Sequence, residues 1–161
     1  MAMIRYLILI ALLTGCGKFE DEVYGPLEVP KEGDWRSYGV MADYEMLVDV
    51  KSITHDDDYA PTKYTYVWLQ QKFNEDQTDE VTKKQFRVKY SRHAIDCPSK
   101  KMAGTLSDMR DTENRQVARY DIPGYQWEFD EPLANSFGGD FVRQVCKIMA
   151  EKEAKAKLEE N

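Results

Sequence analysis

Tyr44-Glu45-Met46-Leu47-Val48-Asp49-Val50-Lys51-Ser52-Ile53 decides the fold. Tyr44, Met46, Val48 and Val50 alternate with Glu45, Leu47, Asp49 and Lys51. Successive side chains of a strand point to opposite faces, so this period of two predicts a half-buried β-strand. The pattern repeats downstream. Tyr64, Tyr66 and Trp68 alternate with Thr65, Val67 and Leu69 in a second strand ending near Phe73, and Asn74 to Glu80 reads as a charged turn. Phe86, Val88 and Tyr90 alternate with Arg87, Lys89 and Ser91 in a third strand reaching Cys97. Two weaker segments, Lys101 to Met109 and Arg115 to Ile122, follow. Strands joined by short polar turns favour an antiparallel meander. The period then changes. Phe137, Phe141, Val142, Val145, Cys146 and Met149 recur at helical spacing, with Ser136 placed to cap. Gly138 and Gly139 weaken the first turn by up to about 1 kcal/mol each relative to Ala, which places the helix start anywhere from Phe137 to Asp140. Beyond Ala150 the sequence is charged and helix-prone without an apolar stripe, a solvated continuation or a frayed tail. The fold class is α+β.

The chain opens differently. Arg5 precedes the apolar run Tyr6 to Leu13, which stops at Thr14-Gly15-Cys16. A positive start, a short apolar run and a small-residue exit make a secretory signal. Spanning a bilayer takes about 20 apolar residues, more than this run supplies. Leu13-Thr14-Gly15-Cys16 resembles the lipobox of bacterial lipoproteins. That resemblance implies cleavage before Cys16 and a diacylglycerol on its sulfur, so that the chain meets the membrane through a lipid anchor. Gly17 in place of Asp favours the outer membrane, by analogy with enteric sorting. Residues 17–34 show no sustained period and read as a tether reaching about 25 Å. Phe19, Tyr24 and Leu27 keep an ordered lead-in open as the alternative.

With 161 residues the chain suits one domain, and a net charge of −7 argues against general nucleic-acid binding. Of three cysteines, the lipid takes Cys16 and leaves Cys97 and Cys146 to pair in an oxidising compartment. Closing a loop of that size would stabilise the fold by about 4 kcal/mol in the chain-entropy picture. Two free thiols or a metal site are the alternatives, and no further soft ligands lie near either cysteine.

His55-Asp56-Asp57-Asp58 lacks the spaced ligands and central glycine of a calcium loop and reads as a solvated hairpin tip rather than a metal site. His93 has no nucleophile elbow, zincin helix or phosphate-binding glycine loop around it, so it reads as an exposed strand histidine. No cofactor and no catalysis are expected. Trp35, Trp68 and Trp127 read as core rather than as sugar-stacking platforms. The cations Lys83, Arg87, Lys89 and Arg92 stand in a basic stretch of an acidic protein. Lys83, Arg87 and Lys89 share strand parity. They read either as a plain solvent face or as a partner-binding strip for acidic polysaccharide, phospholipid headgroups or an acidic partner.

The order of features resembles the surface-adhesin E family of bacterial lipoproteins. The likeness lies in Trp35, Val48-Asp49, Lys51-Ser52-Ile53, Val67-Trp68, Ile95-Asp96-Cys97, Trp127 ahead of Pro132 to Ser136, and Val145-Cys146. The family's Pro-Gly-Ser turn is absent as such, since Leu133-Ala134-Asn135 separates Pro132 from Ser136. The resemblance implies a curved, six-stranded antiparallel sheet, like a half-barrel, with a C-terminal helix fastened by Cys97 and Cys146. It also implies an adhesin-like module that binds host matrix or serum proteins; a periplasm-facing envelope lipoprotein with a structural or regulatory role is the alternative. The division expected is a signal at 1–15, a lipidated tether at 16–34, the domain at 35–150 and a charged tail at 151–161.

Overall fold

The computed structural model describes residues 27–55 and 63–160. Cys16 and its lipobox, most of the tether and the acidic loop from Asp56 lie outside the described residues. Six strands form one open antiparallel sheet in chain order: β1 (Trp35–Val40), β2 (Tyr44–Thr54), β3 (Thr65–Thr78), β4 (Gln85–Asp96), β5 (Lys101–Arg110) and β6 (Gln116–Asp121). Among the described residues one α-helix, α1 (Phe137–Glu159), follows. The expected α+β architecture is what the chain adopts.

One face of the sheet is covered by α1. Phe141, Val142 and Val145 pack on Met46, Val48, Ile53, Val67, Leu69 and Ile95. Full burial of a side chain of this size contributes roughly 1.5–3 kcal/mol, so these contacts hold the helix down. Tyr38 adds edge-on contacts to Phe137 and Phe141, with ring centroids 5.0 and 5.5 Å apart, and its hydroxyl donates to Asp140 Oδ2 at 2.6 Å. Lys152 Nζ donates to the carbonyls of Val50 and Ile53, at 2.8 and 2.9 Å, where the β2 edge departs from its register. Cys97, just past β4, is bonded to Cys146 on α1 with an S–S distance of 2.05 Å. The disulfide alternative therefore holds over free thiols.

The opposite face is covered too, and this corrects the half-buried reading of the central strands. Leu47 and Asp49 are buried along with Met46 and Val48, and Thr65 through Gln70 form an unbroken buried run. The cover on that face is the lead-in over Trp68 and Leu106, and Trp127 over Tyr66. Val29 packs on Trp68 and Leu106, with Leu27, Trp35 and Tyr90 beside them. Hydrogen bonds help fix the lead-in: Asp34 N–H donates to the buried Asp49 carboxylate at 2.7 Å, and Arg119 Nη2 donates to the Leu27 carbonyl at 2.6 Å. From Leu27 onward the chain is thus part of the domain, where a tether was expected to run to residue 34.

Two boundaries also move. β3 continues past Phe73 to Thr78, because a register shift between Lys72 and Gln77 lets the charged stretch stay paired with β4. The turn is instead Asp79 to Lys84, where Asp79 Oδ2 accepts from Thr82 N–H and O–H at 2.7 and 2.6 Å. α1 begins at Phe137 with Ser136 as its cap, Oγ accepting from Gly139 N–H at 3.1 Å. Gly139 is required there, since a Cβ would overlap the Leu133 carbonyl oxygen. The helix then runs unbroken to Glu159, so the charged tail is its solvated continuation.

Candidate functional site

α1 covers only part of its face of the sheet. Beside its first turn lies a groove of about 410 Å³, floored by β3, β4 and β5. That is within the usual range of ligand pockets, roughly 300–1,000 Å³. Phe137 and Phe141 wall it on the helix side, Met46 and Leu69 lie beneath, and Met102 and Ile122 close the far side. The polar lining comes chiefly from β4, where Lys89, Ser91 and His93 alternate onto this face, together with Ser107 across from Ser91 on β5. Gly104, opposite His93, completes the floor, and a Cβ built there meets nothing within 4 Å.

Two features of this floor are chemical. His93 lies between Val67 and Gly104 in the strand register, neither of which offers a charge. Burial first, and then the nearby Lys89 ammonium, push its pKa down to about 4, so the imidazole is neutral at neutral pH. Its Nε2 lies 3.3 Å from Ser91 Oγ, while Nδ1 and Ser107 Oγ are buried without a hydrogen-bond partner among the described residues. Buried polar atoms are normally satisfied, so these two stand out. Among the described residues, Lys89 is the only formally charged one lining the groove once His93 is neutral.

The basic stretch is dispersed by the fold. Lys89 faces the groove. Arg92, one position out of phase, is buried on the opposite face with its guanidinium 4.3 Å from the Tyr66 ring centroid. Arg87 is held by Asp76, at 2.8 Å from Oδ1, and by the Asn74 carbonyl at 3.0 Å. Lys83 sits in the β3–β4 turn with φ 59°, exposed to solvent. Parity did place Arg87, Lys89, Ser91 and His93 together, but their face is the one the helix shares, so the exposed reading of His93 is corrected.

The remaining candidates are structural. Trp68 is buried, Trp35 meets Tyr90 edge-on at 5.7 Å, and Trp127 packs on Tyr64 and Tyr66 at 6.2 and 6.3 Å. His55 bridges the Tyr64 carbonyl, 2.8 Å from Nδ1, and Glu153, 3.0 Å from Nε2. Among the described residues no three His, Cys, Asp or Glu side chains gather as metal ligands. The groove itself was missed by the sequence reading. Gly104 carried a signal for it, because an isolated glycine within a strand marks a bulge or a place where another group approaches the backbone. No family model, curated protein or solved structure matches the chain.

Proposed function

We propose that this chain is a lipid-anchored bacterial envelope protein of the surface-adhesin E type, held in the outer membrane through Cys16 and working by binding rather than catalysis. The observation that carries this reading is the Cys97–Cys146 bond. It uses two of the three cysteines and leaves Cys16, at the end of a signal-like apolar run, as the remaining thiol. Disulfides of this kind belong to exported proteins, which agrees with the signal. The motif residues that carry the family likeness also have physical work in this fold. Asp49 fixes the lead-in, Ser52 Oγ accepts from Trp68 N–H at 2.9 Å, Ile53 and Ile95 are core, and Cys97 fastens the helix.

The partners proposed are host matrix or serum proteins, or acidic polysaccharide, met by exposed cations such as Lys83 and Lys84 at the β3–β4 hairpin tip. Such contacts weaken as salt rises, since exposed charges are screened beyond about 8 Å at physiological ionic strength. The test is made in a bacterial host. The wild type should incorporate a labelled fatty-acid analogue, fractionate with membranes and be cut by protease added to intact cells. Cys16→Ala should lose the label and leave the membrane fraction. Label retained in Cys16→Ala would refute the anchor, and a membrane-bound wild type fully protected from external protease would refute surface display.

A further inference from the structure

The groove beside the helix start has one charged side chain, largely apolar walls and an open floor. Lys89 makes no ion pair among the described residues, although the protein carries an excess of acidic side chains. A solitary ammonium at one end of an apolar channel selects a ligand with one anionic end and one hydrocarbon end. We propose that the groove binds a single-chain carboxylate of the fatty-acid class, with the head on Lys89 and Ser107 and the chain running beneath Phe137 and Phe141 toward Gly104 and Met102. This site goes beyond the anchored binding role and does not depend on it.

The strand geometry supports the polarity. Lys89, Ser91 and His93 step along β4 on one face, which spaces Lys89 from His93 by about 13 Å. Ser107 lies across from Ser91, near the Lys89 end, and its unpartnered hydroxyl is a donor for a carboxylate oxygen. A neutral His93 adds no second cation, so the head has one place to go. The apolar walls, Met46 and Leu69 on one side and Met102 and Ile122 on the other, offer the chain carbon rather than water. A cationic amphiphile would meet Lys89 with the wrong sign.

The test uses the full chain in whole cells of a bacterial host and a dodecanoate probe bearing a photoactivatable diazirine at its terminal carbon. After illumination, adducts should concentrate on the groove, at Phe137, Phe141, Met102 and their neighbours. Unlabelled dodecanoate should displace the probe, and dodecyltrimethylammonium should not. Each methylene removed from the competitor should weaken displacement by about fourfold while the groove is being filled. Gly104→Leu projects into open floor space, so it should fold and reduce groove adducts at least tenfold. Lys89→Gln should reduce them by about tenfold or more, and Lys89→Arg should restore them. Recovery of the Cys97–Cys146 linked peptide from each variant reports that the fold is intact. Adducts spread without enrichment on the groove would overturn the proposal. So would equal competition by the cationic amphiphile, or wild-type labelling in both Gly104→Leu and Lys89→Gln. The same adduct map in Cys16→Ala would show the site to be independent of the anchor.

Discussion

His93 is where one residue couples packing to pH. Its folded pKa is lowered by burial and by Lys89 from 6.5 to about 4, while the unfolded chain keeps the ordinary value. Between those two values the unfolded state holds a proton that the folded state does not, so stability falls as pH drops through that window. The full effect is on the order of 3 kcal/mol. Asp79, held low chiefly by the Thr82 hydroxyl, and Asp140, held low chiefly by the Tyr38 hydroxyl, give a pH dependence of the same sign at lower pH. Their contribution is present above 3.8 and is lost only below it. The wild type should therefore show a lower urea midpoint at pH 4.5 than at pH 7. His93→Gln should lose most of that difference, and an unchanged difference would show that His93 is not its source. The sequence did not reveal this residue's surroundings. A histidine on an alternating strand looks the same whether its face meets water or a helix that arrives 44 residues later, at Phe137.

At the level of elements, legibility followed periodicity. The α1 stripe and the alternation in β4 could be read because each depends on neighbours close in sequence. The double coverage of β2 and β3 could not. It depends on residues 27–34, whose pattern has no period and whose order comes from Asp49, Arg119 and Trp68. The extension of β3 to Thr78 was hidden by its charge, since a solvated hairpin arm stays paired through its backbone. Gly139 shows propensity being overruled by a contact. Exchanging a helical glycine for alanine ordinarily stabilises by up to about 1 kcal/mol. Here the added Cβ collides with the Leu133 carbonyl, so Gly139→Ala should destabilise by about 1–3 kcal/mol in urea unfolding followed by circular dichroism. A stabilised variant would mean that the first turn of α1 is not packed on the 133–136 loop.

Across the whole molecule, a sheet covered on both faces is fastened at one end by a disulfide and left open beside the first turn of its helix. The meander, the helix and the disulfide were readable from periods and cysteine counts, whereas β1 was not, and the sixth strand came only from the family resemblance. The groove was not readable, because its walls come from four strands, Ile122 and α1, and only the folded chain brings them together. Cys97 and Cys146 bind each other, and in the function proposed above this leaves Cys16 for lipid. Mass spectrometry of the non-reduced protein, extracted from the membranes of a bacterial host, tests both halves at once. The mature chain should start at Cys16, carry the added mass of acylglycerol on that residue, and yield a Cys97–Cys146 linked peptide. An unacylated Cys16 still joined to residues 1–15, or a peptide linking Cys16 to either of the other cysteines, would contradict it.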